Sequence, residues 1–201
     1  MIKTVAIPVE DLFVHIPEKI PMGIIGCGEC AAALGTGGTR QVDMWVDRLK
    51  TRNPVVFSTV ARSPCDQRIL ERFIRLIPDF DQAKLILLLA CPAGVQSLGD
   101  LLRRENRNVL LVPALKVEGL GWLAAGRRWS EACVFCQTCT FEMASAAHSG
   151  GGAVSCPTAA CPLHKADGPC QNRLDEDRCP IAPETSCIWL PSAGPLQRGQ
   201  A

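Results

Sequence analysis

The chain has no tyrosine, three histidines, 5% aromatic residues and a formal net charge of +1. Each shortage removes a class of function. Binding to single-stranded nucleic acid uses aromatic platforms along a positive groove. Here the few aromatics do not interleave with a basic patch, so no nucleic-acid partner is expected. A near-neutral chain gives no electrostatic case for an anionic membrane either. His15, His148 and His164 form no pair at metal-ligand spacing, although His164, between Cys161 and Cys170, could replace a thiolate in a zinc site. No Cys-x-x-Cys-His run is present, which removes covalently attached haem. No Ser/His/Asp arrangement or paired carboxylate stands out, so no catalytic residue is assigned. The longest apolar run, Leu85 to Pro92, has the length of a strand, well short of the roughly 20 residues of a membrane helix. The opening residues, Met1 to Asp11, lack the apolar core of a secretion signal.

Charge is uneven. Residues 1–128 carry 17 Lys and Arg against 13 Asp and Glu, and residues 129–201 carry 4 against 7. The basic half could steady an anionic cofactor, but charges this scattered read first as a solvated surface.

What the chain does have is twelve cysteines. Without a secretion signal, the expected location is the cytoplasm, a reducing compartment in which many thiols mean metal rather than disulfides. Eight thiols fall between Cys133 and Cys187: Cys133, Cys136, Cys139, Cys156, Cys161, Cys170, Cys179 and Cys187. The first three share a two-residue spacing that lets one tight loop present several sulfurs to a small volume, as iron–sulfur clusters require. A tetrahedral zinc site would use two separate pairs. The eight thiols partition in many ways. Cys133, Cys136 and Cys139 are grouped with Cys187 as ligands of one cluster. Cys156, Cys161, Cys170 and Cys179 are left as a metal site open to zinc. After Trp129 the hydrophobic periodicity disappears, and Gly150-Gly151-Gly152 with repeated Cys-Pro pairs marks backbone shaped by ligands. So few large apolar residues should not hold a fold without metal.

Upstream, strands alternate with helices. Val9, Leu12, Phe13 and Ile16 form one face of a short lead-in helix. Strands are expected at Met22–Gly26, Pro54–Val60, Lys84–Ala90 and Asn108–Pro113, each a continuous apolar run, which implies a parallel sheet covered on both faces. Helices are expected from Thr39, acting as cap, with Val42, Trp45, Val46 and Leu49 inward; over Gln67–Ile77, with Ile69, Leu70, Phe73, Ile74 and Ile77 inward; and near Ser97–Arg104. Cys27 and Cys30 follow the first strand, Cys65 the second and Cys91 the third. Parallel strands end on one side, so these four thiols should meet at the carboxyl edge, where open α/β sheets bind ligands. Two other motifs overlap this edge. Gly26-Cys27-Gly28-Glu29-Cys30-Ala31 fits a dinucleotide fingerprint, but Arg62-Ser63-Pro64 stands where its acidic residue belongs. Gly35-Thr36-Gly37-Gly38 lacks the Lys and Ser/Thr of a P-loop and reads as a helix entry. Residues 114–130, interrupted by Gly119, Gly121 and Gly126, read as a connector. The expected organisation is a lead-in over 1–21, an α/β domain over 22–128, a Cys-rich module over 129–191 and a tail over 192–201.

These residues have a familiar order. Cys133-x-x-Cys136-x-x-Cys139, a Gly-Gly turn, Cys156-Pro157-x-x-x-Cys161, Gly168-Pro169-Cys170, Cys179 and Cys187-Ile188-Trp189 resemble the C-terminal module of the small iron–sulfur subunit of two-subunit methylenetetrahydrofolate reductases of acetogens and related anaerobes. Gly26-Cys27-Gly28-x-Cys30 and Ala90-Cys91-x-x-Gly94-Val95-Gln96 are similar to that subunit's N-terminal domain. Gln171-Asn172 stands where the family tends to have Gly-Gly, Asp167 where it tends to have Asn, and Leu34 where relatives often carry a further cysteine. The resemblance implies an accessory role, with two or three 4Fe-4S clusters, zinc in one Cys-rich site as an option, and no flavin in this chain. Folate and flavin chemistry would belong to a TIM-barrel reductase partner subunit, since a barrel needs about 250 residues. Further electron-transfer subunits are possible partners. Two other readings stay open: a structural zinc scaffold, and a redox module of a corrinoid- or heterodisulfide-linked complex.

Overall fold

The computed structural model describes residues 1–124, 126, 128–134, 156–165, 168–171 and 178–190. In chain order its elements are β1 (Ile2–Ala6), α1 (Val9–Phe13), β2 (Met22–Cys27), α2 (Cys30–Ala33), α3 (Thr39–Leu49), β3 (Val55–Ala61), α4 (Gln67–Ile74), β4 (Leu85–Leu89), α5 (Pro92–Arg104), β5 (Leu110–Pro113), β6 (Leu115–Leu123), β7 (Trp129–Cys133) and α6 (Pro157–Ala160). The chain divides into two units, Met1–Glu118 and Gly119–Ala201, at a point inside the segment read as a connector.

The first unit is α/β. Its four-stranded sheet has the order β3-β2-β4-β5, with every neighbouring pair parallel. The unbroken apolar runs explain it: a parallel sheet with helices on its faces exposes neither side of its central strands. All of Leu85 to Leu89 is fully buried, as are Met22, Ile24 and Ile25. Each such side chain contributes about 1.5–3 kcal/mol by leaving water. Helix α3 buries Val42, Trp45 and Leu49, spaced three and four apart, and α4 buries Leu70 and Ile74. Gln67 ties α4 to α5 by donating from Nε2 to Asp100 Oδ2 at 2.9 Å.

Several boundaries differ from the sequence expectation. Residues Ile2–Ala6 form a strand ahead of the lead-in helix. In this unit β1 neighbours the first part of β6, and Lys3 Nζ lies 2.9 Å from Glu118 Oε2. Thr39 is the first helical residue of α3 rather than its cap; Gly38 occupies that position, with no side-chain hydrogen bond. Helix α5 begins at Pro92, five residues earlier than expected, with Cys91 as its N-cap. A proline at the first helical position has no amide hydrogen to lose and a backbone angle already set for a helix. Ile69, placed on the inner face of α4, is 39% exposed.

In the second unit, the later part of β6 pairs antiparallel with β7, Leu120 opposite Cys133 and Leu123 opposite Trp129. A regular strand therefore extends past Trp129, where periodicity was expected to end. Gly121 permits it: a Cβ there would stand 2.0 Å from the Ser130 carbonyl oxygen. Helix α6, a single turn, packs against β7.

Candidate functional site

The sheet order decides where the upstream thiols go. Strand β2 lies between β3 and β4, with Cys27 opposite Ala61 and Gly26 opposite Leu89. Three adjacent strands thus release their chains at one edge. After β2, the Gly28 amide donates to Ala61 O at 2.9 Å, and Cys30 opens α2. After β3 the chain turns through Ser63, at φ +50°, with the Asp66 amide bonded to Ser63 O. Cys65 lies within that turn. Asp66 then caps α4, accepting from the Arg68 amide at 3.0 Å, and the Arg68 guanidinium beside it holds its carboxyl down at about 2. After β4, Cys91 caps α5 and its carbonyl accepts from the amides of Gly94 and Val95. The loop of Cys65 and the first turn of α5 lie against each other: a Cβ on Gly94 would come within 3.3 Å of Pro64 Cγ.

Cys27, Cys30, Cys65 and Cys91 are all free thiols brought to this edge. Their burial is graded. Cys27 is 6% exposed, Cys30 and Cys91 are half-buried, and Cys65 is exposed. Burial pushes the Cys27 thiol above its ordinary value, backbone amides of Glu29 and Ala31 pull it partly back, and negative charge on Cys91 or Cys30 would push it further up. The Cys65 thiol is raised first by burial and then by the charge of Cys91, with Cys30 adding to it. An ion pair between Arg62 Nε and Glu29 Oε1, 3.2 Å, sits on the exposed rim.

The overlapping motifs have structural uses. Helix α2 has four residues, too few for a dipole that could hold a pyrophosphate. In the Gly-rich turn, Thr36 Oγ1 donates to Ala31 O and pairs with Thr4 Oγ1 at 2.7 Å.

In the second unit, Cys133 ends β7, while Cys156 and Cys161 bracket α6, which packs on β7. Cys161 is 6% exposed and Cys179 7%. The Cys179 amide donates to Thr185 O at 2.9 Å, and Arg178 bridges antiparallel to Ser186, so the segments carrying Cys179 and Cys187 run side by side. Cys170 is half-buried beyond Gly168, whose φ is +105°. His164 Nε2 lies 3.4 Å from Glu131 Oε2. The indole nitrogen of Trp189 is buried without an acceptor. Cys136 and Cys139 lie outside the described residues.

Among the described residues, no three Cys, His, Asp or Glu side chains are grouped for a single ion. A tetrahedral zinc with bonds near 2.3 Å draws its sulfurs to roughly 3.8 Å from one another. A cluster is a cage and needs its thiolates further apart. At the sheet edge, all-sulfur donors with amide hydrogens beside buried Cys27 have the chemistry that suits an iron–sulfur group.

The fold and site define an α/β domain with a thiol-lined sheet edge, followed by a Cys-rich segment. Residues 112–199 match the family model described as methylene-tetrahydrofolate reductase C terminal. That match covers all eight tail cysteines, so the likeness carried by their spacing extends back through β6 and β7. No curated protein and no solved structure matches the chain. No helix among the described residues is long and apolar enough to cross a membrane.

Proposed function

We propose that this chain is an iron–sulfur electron-transfer subunit that docks on a flavin-containing methylenetetrahydrofolate reductase subunit of TIM-barrel type. The observation that supports the reading is that the segments bearing Cys27, Cys30, Cys65 and Cys91 follow the carboxyl ends of three adjacent parallel strands. The family match over the tail adds the enzyme class that such a subunit would serve. Those four thiols would hold one 4Fe-4S cluster. Cys133, Cys136, Cys139 and Cys187 would hold a second, and Cys156, Cys161, Cys170 and Cys179 a third cluster or a zinc ion within an irregular Cys-rich module. When bound, such clusters supply one-electron redox chemistry.

The chain's own contribution is placement. Strand ends fixed by a buried sheet set the sulfur positions before any metal arrives. Amide hydrogens from Glu29 and Ala31 orient the buried Cys27. Exposed Cys65 brings one side of the site to the protein surface, where a partner can approach it. Flavin and folate stay with the partner, and the pair works in the cytoplasm.

Iron, sulfide and zinc measured on anoxically purified protein test this. The expected result is iron and sulfide in equal amounts, with Cys27→Ser and Cys91→Ser each losing one cluster's iron. Zinc in every site and no iron would replace the proposal with the scaffold reading. A native pull-down should recover a flavoprotein; a corrinoid protein in its place would move the module to another enzyme.

A further inference from the structure

We propose that α4 is a docking helix: the row Ile69, Phe73 and Leu76, with Arg72 beside it, seats in an apolar groove rimmed by carboxylates on the flavin-bearing subunit. The inference rests on the accessory-subunit reading above, but on none of its metal centres. It starts from apolar side chains that the core leaves outside. Leu70 and Ile74 turn inward, and Gln67 faces α5 through its bond to Asp100. Ile69, on another side of the helix, is 39% exposed, and Leu76 is 80% exposed. Phe73 is half-buried and packs partly on the core. The Leu76 amide donates to Phe73 O at 3.0 Å, so the helical path continues past Ile74. The three residues thus stand at i, i+4 and i+7 on one side of a helix. That is the spacing by which an amphipathic helix anchors in a partner's groove.

Charge indicates the kind of partner. Arg68, Arg72 and Arg75 repeat at the same spacing, a basic row alongside the apolar one. Arg68 pairs with Asp66 and Arg75 with Glu71. Arg72 is exposed and has no ion pair among the described residues. A guanidinium at the rim of a contact favours carboxylates opposite it and disfavours bases. Two copies joined antiparallel through this row about a two-fold axis would set their arginine rows on the same side, like charge against like. The row therefore fits a different protein, acidic where this chain is basic. Exposed Cys65 lies just ahead of α4, so a partner seated on the helix is brought to the thiol edge.

The test uses the full chain, purified without oxygen, and the flavoprotein recovered with it from native cells. Calorimetric titration gives Kd for wild type, for Ile69→Ser combined with Leu76→Ser, for Arg72→Glu and for Met44→Ser. Met44, 43% exposed on α3, is the control. The expected Kd is about tenfold higher or more in the double variant, the loss seen when central contact residues are truncated. Arg72→Glu should raise it several-fold and weaken its salt dependence, and Met44→Ser should leave it unchanged. Should the double variant melt early, Arg72→Glu decides, since it alters an exposed charge alone. Wild-type affinity in both variants would overturn the docking role and leave the accessory function standing. Failure of the wild-type chain to bind any flavoprotein would overturn both. A wild-type dimer that dissociates in the double variant would give the row to a second copy and overturn the partner assigned to it.

Discussion

The two units of this chain reach order by different means. The first buries aliphatic side chains: Ile24, Ile25 and the run from Leu85 to Leu89 lie between layers of helix. In the second, the buried apolar side chains among the described residues are Cys161 and Cys179. A sheet covered on both faces offsets chain entropy by area removed from water. If the tail thiols bind metal as proposed, ligand bonds would offset it there, and metal binding and folding would become one equilibrium. On the proposed function, one chain joins a scaffold held by its aliphatic core to a module that would depend on metal.

The sharpest way to break this contrast is to take the metal away. Anoxic chelation should open the tail and leave the first unit folded. For structural zinc modules the linked free energy is about 10–16 kcal/mol. Limited proteolysis read by mass spectrometry should then show cuts beyond Gly119 and a persistent fragment over residues 1–118. A metal-free tail as resistant as the loaded one would remove the distinction between the units.

The converse experiment acts on the scaffold. Leu87 is fully buried at the centre of β4. Leu87→Ala should cost about 2–5 kcal/mol, the range for emptying a core leucine site. A denaturant titration followed by far-ultraviolet circular dichroism measures it. Metal bound by the tail should stay at the wild-type level in native buffer. If Leu87→Ala emptied the tail of metal while the first unit remained folded, the two equilibria would not be separate.

Much of the first unit could be read directly, and the reason is the length of its apolar runs. Leu85 to Leu89 has no polar interruption, and that is how a strand buried on both faces reads. Because parallel strands share an exit, the sequence assigns the cysteines after β2, β3 and β4 to one edge of the sheet, and the strand order agrees. Strand β1 was hidden because Ile2-Lys3-Thr4-Val5-Ala6 mixes polar and apolar residues. Its Thr4 is buried through a hydrogen bond to Thr36, a partner far along the chain. Strand β6 was masked by Gly119 and Gly121, which look like breaks but mark where another strand approaches closely. The start of α5 was misread because Cys91-Pro92 resembles a strand ending, although proline is equally at home in a first helical turn.

The smallest expected effect concerns the thiol edge without metal. Burial raises the folded-state value of Cys27 above that of an unfolded cysteine, near 8.5. Below that pH both states keep the proton and stability is at its full value. Above it the unfolded chain releases the proton while folded Cys27 retains it, so the unfolded state binds fewer protons and stability falls as pH rises. Each tenfold difference in proton affinity is about 1.4 kcal/mol. Exposed Cys65 shifts in the same direction but contributes less, because solvent screens it. The metal-free protein should therefore unfold at progressively lower denaturant as pH rises above about 8.5, and Cys27→Ala should flatten that slope. An unchanged slope in Cys27→Ala would assign the alkaline loss to other groups and leave the sheet edge with no electrostatic strain for a metal to relieve.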